Sequence, residues 1–516
     1  MEYFGSNNRA RLLALPLSLA LITAACGGGQ TPASSKPGEP SNPKAAAESK
    51  KDEPLSIQIM SELFQETPDM NNEYYSALQK KTNSKLNMVW VPTANYETKL
   101  DLVLSSGDIP EVIVVNNTNK PSFVTALNMG VFWDLTPFLK DFSEYPNLKS
   151  QVTPGIFNFV KLNGKIMGIP RSRSLVSYGI KIRKDWFDKL NIPMPTTLDE
   201  YYDAIKKIVK SDPDGNGKDD TVGILDTPFS RSFMPAFGVN NPTYDSDGGL
   251  ISNILTPQFV DSVAWFRKAY ADGLMPKEFA VLKKPQIEEL LQSGRAASYD
   301  YALYYDYKWM QDIRKVQPQG VLATVDPLKG PNGYSADLQK GFNGAFYISK
   351  KVPEDKVKRI LKYFDQTASE EITQLGYYGV EGVHYTVVDG QPQLTELGTK
   401  QIAITALQPL VTAYDKWGKV VYAGAPKAFN DAEKAIGAKY EKVGKQNPFD
   451  WIVSDTWTNL WPKYDSEFRS NTTKAIVGQM SMEDYKQYVE KLRNLPDMKK
   501  AFKEFAQAIK DYPPVQ

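Results

Sequence analysis

Strand-like and helix-like patterns alternate early in the sequence, and no other feature constrains the fold as strongly. Polar and apolar side chains alternate in residues 55–60 and 85–91, and residues 111–115 are mostly apolar, so these three segments are predicted strands. Between them, residues 71–82 and 96–105 carry apolar side chains at the spacing of one helix face. The order strand, helix, strand, helix, strand favours an α/β fold.

The rest of the chain continues this mixture. Thr197 and Glu200 form a capping box at the start of a predicted helix, whose apolar face continues to Ile208. From Lys400 onward the pattern is mostly helical. The part of the chain from Leu55 has about 460 residues, which is more than one hydrophobic core usually serves, so two lobes are expected.

The N-terminus has the form of an export signal. Arg9 and Arg11 precede an apolar stretch, residues 12–25, that is shorter than the roughly 20 residues a spanning helix needs. Small residues followed at once by Cys26 resemble a bacterial lipobox, in which the cysteine is acylated and the peptide before it is removed. We therefore expect residues 1–25 to be a signal peptide and Cys26 to carry acyl groups such as palmitate.

The alternative is an ordinary signal peptide that is cut elsewhere and leaves Cys26, the only cysteine, as a free thiol. Residues 26–54 are rich in Gly, Pro, Ser, Ala and Lys, and their charges balance, so this segment is a predicted disordered tether. The sequence thus predicts a folded body that is lipid-anchored at the extracellular face of the cell membrane.

The composition excludes several kinds of site. The 61 basic and 60 acidic side chains give a net charge of +1, so nucleic acid is not an expected partner. One cysteine and one histidine, His384, exclude intramolecular disulfides and metal sites built from several such ligands. No Gly-x-Ser-x-Gly, phosphate-loop or His-Glu-x-x-His motif is present, and no carboxylate pair of a glycosidase is marked. His384 is interpreted first as a hydrogen-bonded structural residue.

Residues 212–220 resemble the first part of an EF-hand calcium loop. Oxygen-bearing side chains alternate along this loop, and Gly217 occupies the sixth position, where a sharp turn is needed. The twelfth position, normally Glu, is Gly223, so Asp219 or Asp220 must complete the shell. The alternative is a plain acidic surface turn. The predicted ligands of one structural calcium ion are the side chains of Asp212, Asp214, Asn216 and Asp220 and the carbonyl of Lys218.

The order of several motifs resembles that of extracellular solute-binding proteins of ABC importers (family 1), in the oligosaccharide-binding cluster of Gram-positive bacteria. The motifs lie behind the lipobox and extend over nearly the whole body. They are Val91-Pro92 with Tyr96-Glu97-Thr98-Lys99-Leu100, Ser106-Gly107-Asp108-Ile109-Pro110, Asn163-Gly164-Lys165-Ile166-Met167-Gly168-Ile169-Pro170, Ile182-Arg183-Lys184-Asp185-Trp186-Phe187, Pro195-Thr196-Thr197-Leu198-Asp199-Glu200 and Tyr377-Tyr378-Gly379-Val380-Glu381-Gly382-Val383-His384-Tyr385.

This resemblance implies a two-lobed α/β fold of the type II periplasmic-binding-protein kind, with a hinge between the lobes. The N-terminal lobe would hold residues 55–170 and about 341–385. The C-terminal lobe would hold residues 171–335 and about 386–516.

The resemblance also implies a carbohydrate-binding receptor, not an enzyme, that delivers an oligosaccharide or a sugar acid to ABC-transporter permease subunits as a monomer. Arginine suits carboxylate or hydroxyl groups, and aromatic rings suit the C–H face of a sugar. The alternatives are a polysaccharide-cleaving lipoprotein and a peptide receptor of the same fold. The predicted solute contacts, at the lobe junctions, are Arg171, Arg173, Tyr178, Asp300, Tyr301, Tyr305, Trp309 and His384.

Overall fold

The structure, a computed structural model, covers nearly all of the predicted body. It describes residues 53–63, 67–118, 120–151, 154–388, 390–402, 416–418, 420–422 and 424–514. The predicted signal peptide, Cys26 and the tether up to residue 52 lie outside the described residues. The chain divides into two units between Glu53 and Pro54, and the described strands and helices belong to the unit Pro54–Gln516. In the described ranges, no helix combines the length and the apolar character needed to cross a bilayer.

Strands and helices alternate through most of this unit. The strands are β1 Leu55–Leu63, β2 Ser84–Pro92, β3 Val112–Val115, β4 Lys161–Leu162, β5 Lys165–Ile166, β6 Ile169–Ser172, β7 Tyr178–Arg183, β8 Val222–Ile224, β9 Ala296–Ala302, β10 Leu322–Thr324, β11 Asp337–Leu338, β12 Phe342–Ile348, β13 Tyr385–Val388, β14 Gln391–Leu394 and β15 Lys445–Gln446. The α-helices are α1 Glu73–Lys81, α2 Thr93–Ser106, α3 Pro121–Asn128, α4 Thr136–Leu139, α5 Pro146–Gln151, α6 Lys184–Lys189, α7 Leu198–Val209, α8 Phe233–Ala236, α9 Pro257–Ala271, α10 Lys284–Gln292, α11 Asp306–Val316, α12 Glu354–Thr367, α13 Glu370–Tyr378, α14 Glu396–Gln401, α15 Lys427–Val443, α16 Asp455–Leu460, α17 Asp465–Ile476, α18 Met482–Arg493 and α19 Pro496–Asp511.

The first sheet has five strands in the order β2-β1-β3-β12-β6. β1 is parallel to β2 and β3, whereas β12 is antiparallel to β3 and β6. The predicted alternation of strands and helices up to residue 115 is confirmed. Local chemistry explains its boundaries, because the Asn72 side chain caps α1 and the left-handed Gly107 ends α2.

The second sheet has four strands in the order β10-β7-β9-β8. β7 is antiparallel to β9 and β10, and β8 is parallel to β9. The predicted capping box of α7 is confirmed, since the Thr197 hydroxyl accepts from the Glu200 amide at 3.1 Å and Glu200 accepts from the Thr197 amide. The apolar face of α7, including Ile205 and Ile208, is buried.

Each sheet has a hydrophobic core of its own. Ile57, Val114 and Phe346 belong to the core around the first sheet, whereas Ile182 and Phe502 belong to the core around the second. Two separate cores give two lobes of mixed α/β structure. The residue boundaries expected for the two lobes from the sequence stay a prediction.

The chain crosses between the two sheets along two adjacent paths. One path follows β6 and the other precedes β12, and we call residues 173–177 and 336–341 the crossing segments. Backbone hydrogen bonds join them, among them one from the Arg173 amide to the Gly341 carbonyl at 2.7 Å. Because the two backbones are paired, the crossing segments form one paired connection between the two sheets.

Candidate functional site

Three polar side chains mark the edge of the first sheet where the crossing segments join it. Glu62 is near the end of β1, Asn116 directly follows β3 and Arg171 is near the end of β6. These three strands run in the same direction, so their carboxyl ends meet at one edge. Ligands of open α/β sheets bind outside the carboxyl ends of the strands, which makes this edge the candidate site.

Glu62, Asn116 and Arg171 form a hydrogen-bonded chain in which Glu62 and Arg171 are buried and Asn116 is partly exposed. Arg171 Nη1 donates to Asn116 Oδ1 at 2.8 Å, and the Asn116 side chain also hydrogen-bonds to Glu62. Burial raises the pKa of Glu62 and lowers the pKa of Arg171 to about 9, because water no longer stabilises either charge. At 1% exposure, Arg171 forms part of the floor of the site and orients Asn116.

The second lobe contributes an arginine, on the turn between β8 and α8, that is held beside an aromatic ring. Tyr178 begins β7, and the Arg231 guanidinium lies 5.4 Å from the centre of its ring. Arg231 Nη1 donates to Asp337 Oδ2 at 3.0 Å and to Asp450 Oδ2 at 3.2 Å. The two carboxylates fix the guanidinium, while the Arg231 side chain stays 39% exposed. The pair offers a solute both a ring face and N–H donors.

Of the predicted aromatic contacts, Tyr301 and Tyr305 are partly exposed and Trp309 is buried. Trp309 is 1% exposed and stacks on Tyr301, with ring centres 4.7 Å apart. This burial does not support the predicted contact of Trp309 with the solute. Its position on α11 turns the indole inward onto β9, where it supports the tyrosines. Tyr178 packs edge-on against Tyr301, with ring centres 6.2 Å apart.

Asp300 points into the second lobe. Its carboxylate accepts from the Ser232 amide at 2.7 Å and from the Ser232 hydroxyl at 2.6 Å. Ser232 is next to Arg231 in the chain, so Asp300 holds the loop that positions this arginine. The structure thus gives Asp300 a supporting position behind the site.

His384 is fully buried. Its Nδ1 accepts from the Val380 amide at 2.9 Å, and its Nε2 is 2.9 Å from Gln401 Oε1. Both ring nitrogens are therefore engaged, one by the backbone of the same loop and the other by Gln401 of α14, as the structural interpretation of His384 predicted. The expected contact of His384 with the solute has no support in this geometry. Arg173 is on the first crossing segment, where its guanidinium donates to the Ser172 carbonyl at 2.5 Å.

A small cavity extends from Asn116 toward the second crossing segment. Its volume is ≈ 130 Å³, and its lining includes Asn116, Thr118, Lys340, Asp450 and Trp451. Asp450, in the 3₁₀ helix Pro448–Asp450, lines this cavity and also bonds to Arg231. One carboxylate therefore contacts both the cavity and the arginine. The site thus combines amide, hydroxyl, cationic and aromatic groups.

In the predicted calcium loop, the side-chain amide of Asn216 bonds to two of the predicted ligand carboxylates. Asn216 Nδ2 donates to Asp214 Oδ2 at 2.8 Å and to Asp220 Oδ1 at 3.0 Å, while Asp212 accepts from backbone amides of the loop. Burial and hydrogen bonding to Asp212 raise the pKa of Asp214. A cation could replace the positive end of the amide, so the donor set fits calcium. Within the described ranges, however, no three His, Cys, Asp or Glu side chains are already arranged to hold a metal ion.

The sequence matches the family described as bacterial extracellular solute-binding protein over residues 58–364. That span is more than half of the 516 residues. The chain belongs to this family. The resemblance predicted from the motifs is therefore confirmed.

This solute-binding protein has relatives of similar length. It is 29% identical over 511 residues to the polygalacturonan/rhamnogalacturonan-binding protein YtcQ of Bacillus subtilis (strain 168), covering 92% of this chain and 98% of YtcQ. It is 29% identical over 502 residues to lipoprotein LipO of the same organism, covering 93% and 95%. The alginate-binding protein AlgQ2 without calcium ion aligns with a TM-score of 0.60 at 18% identity, covering 89% of this chain and 99% of AlgQ2. This likeness confirms the two-lobed fold.

Sequence reasoning missed several groups at the site of the solute-binding protein: Asn116, Arg231, Lys340 and Asp450. Asn116 had a usable signal, because it directly follows a predicted buried strand, where α/β proteins place ligand contacts. The other three are in a turn, a crossing segment and a short 3₁₀ helix, and only the tertiary fold brings these together.

Proposed function

We propose that this solute-binding protein captures an oligosaccharide outside the cytoplasm and delivers it to the permease of an ABC importer. The observation that carries the proposal is Arg231 beside the Tyr178 ring, at the junction of two lobes. A sugar presents C–H faces and hydroxyl groups, which an aromatic ring and N–H donors complement. The names of YtcQ, a polysaccharide-binding protein, and LipO, a lipoprotein, support a saccharide ligand and a membrane anchor.

Binding is favoured over catalysis by the carboxylates at the site. A glycosidase needs two carboxyl groups facing each other across the scissile bond. Asp337 and Asp450 both bond to Arg231, and Glu62 bonds to Asn116 in the floor of the site. These carboxylates orient other polar groups, which is the arrangement of a binding site. We accordingly propose that the protein is a monomeric receptor and not an enzyme.

The saccharide ligand is tested by titration. Calorimetry with neutral and acidic oligosaccharides, and with peptides as competitors, should detect a saccharide that the parent binds. Tyr178→Ala should weaken that affinity by about tenfold or more, in the range of losses of one aromatic contact. Tyr244→Ala is the matched control, because Tyr244 is an exposed tyrosine that does not line the cavity beside Asn116. Binding of peptides alone, or release of cleaved sugars, would overturn the proposal.

Two further features belong to this proposal. Cys26 carries the lipid that holds the body at the membrane, with residues 26–54 as the tether. The loop 212–220 binds one calcium ion through Asp212, Asp214, Asn216, Asp220 and the Lys218 carbonyl, whose oxygen atoms suit a hard cation. The ion would neutralise the loop carboxylates and has a structural role.

A further inference from the structure

Lys340 occupies an unusual position in the second crossing segment. It precedes β12, and its ammonium lies 4.7 Å from the centre of the Phe342 ring. The side chain is partly buried and lines the cavity of ≈ 130 Å³ beside Asn116 and Thr118. The ammonium is therefore held between an aromatic ring and a small polar space at the lobe junction.

This ammonium has no ion-pair partner among the described residues. Asp450 lies on the same cavity, but it bonds to Arg231 at 3.2 Å and is beyond salt-bridge distance of Lys340. Lys181, by contrast, is fully buried and forms an ion pair with Asp306. Burial lowers the pKa of Lys340, the nearby Arg231 guanidinium adds to this effect, and the Asp450 carboxylate opposes it.

We propose that the solute carries a carboxylate, as a uronic-acid unit does, and that the Lys340 ammonium binds this carboxylate in the cavity. The inference rests on the proposed saccharide function and specifies its substrate class. A cavity of ≈ 130 Å³ holds a carboxylate and its attached carbon, since a water molecule takes roughly 30 Å³. Asn116 and Thr118 supply neutral hydrogen-bonding groups beside it. The aromatic and guanidinium groups of Tyr178 and Arg231 remain for the rest of the saccharide.

The test compares a uronate oligosaccharide with its own methyl ester, which keeps the sugar and removes the charge. Trigalacturonate and triglucuronate, each as acid and as ester, are titrated into the full chain by calorimetry. The parent should bind one of the acids about tenfold or more tighter than its ester, because a charge-assisted bond is lost in the ester. Lys340→Gln should bind the acid and the ester alike, and Lys340→Arg should restore the difference.

Lys350→Gln is the matched control. Lys350 follows the other end of β12, and its ammonium also lies over an aromatic ring, that of Trp133. Lys350 is outside the cavity, so this variant should keep the parental ratio of acid to ester affinity. Melting temperatures of the variants establish that each is folded.

The outcomes separate the two levels of inference. Equal affinity of the parent for acid and ester, or an unchanged ratio in Lys340→Gln, overturns the assignment of Lys340. If the protein binds neutral oligosaccharides but no uronates, the proposal that the solute carries a carboxylate is overturned. The proposed saccharide function is then retained. Absence of binding to all saccharides overturns the proposed function itself.

Discussion

Trp309 is a core residue whose neighbours form the aromatic part of the site. Its ring centre lies 4.7 Å from that of Tyr301 and 5.1 Å from that of Tyr305. Trp309→Ala removes a fully buried indole, so we expect a loss of about 3–5 kcal/mol in the free energy of unfolding. Thermal or denaturant unfolding measures this loss.

Trp309→Phe provides the comparison for this variant. Phenylalanine keeps an aromatic ring against Tyr301, so its loss of stability should be smaller than that of alanine. If Trp309→Ala has the melting temperature of the parent but a lower affinity for the saccharide, the indole contacts the solute.

Glu433 gives the protein a predicted pH dependence. Burial raises its pKa to about 9, with Asp306 adding to the effect and Lys181 opposing it. A carboxyl whose pKa is higher in the folded state contributes stability below its unfolded pKa of about 4.3, and that stability is lost as the pH rises toward the folded pKa. Glu433→Gln should therefore resemble the parent near pH 4 and be more stable by about 1–3 kcal/mol at pH 8.

Denaturant unfolding of both proteins from pH 4 to pH 8 measures this difference. A gap between the two stabilities that stays constant over this range contradicts the raised pKa of Glu433. Asp431→Asn on the same helix is a suitable control, because Asp431 is exposed and pairs with Lys427.

At the scale of elements, the loop 212–220 should link calcium to stability. A ligand that binds only the folded state stabilises it by mass action. Chelation should therefore lower the melting temperature, by the equivalent of about 2.7 kcal/mol if calcium was at 100 times its dissociation constant. In Asp214→Asn, which weakens the shell, the melting temperature should respond less to calcium.

Asp247→Asn is the control for the loop. Asp247 is also an acidic residue of an exposed turn, and its nearest cation is Lys499 at 3.8 Å. This variant should respond to calcium as the parent does. Identical melting curves of the metal-free parent with calcium and with chelator would remove the calcium proposal.

Helices and strands that are determined by neighbouring residues could be predicted from the sequence. Contacts between these elements could not. The cap of α7 and the strands β1 to β3 follow from side-chain spacing and hydrogen bonds within a few residues. The burial of Trp309 depends on how α11 packs on β9, and no spacing in the sequence reports that orientation. Arg231 meets Asp450 only because residues far apart in sequence come together in the fold.

At the scale of the whole molecule, the proposed lipid anchor at Cys26 predicts where the protein is found. Cys26→Ser removes the only thiol that can be acylated, so the variant should leave the membrane fraction. Detergent phase partitioning of cells that express each form measures the change. Ser35→Ala, a substitution in the predicted tether, should partition as the parent does. If the Cys26→Ser protein still enters the detergent phase, the anchor is elsewhere.

The order of strands in the first sheet has a consequence for how the chain acquires its structure. β12 lies between β3 and β6 in that sheet, yet all four strands of the second sheet precede β12 in the chain. When a chain emerges with its N-terminus first, from a ribosome or a translocation pore, the whole second sheet appears before β12. Until then, β1 to β3 and β6 lack the strand that lies between β3 and β6. The sheet that is encoded first is therefore the one that is completed last.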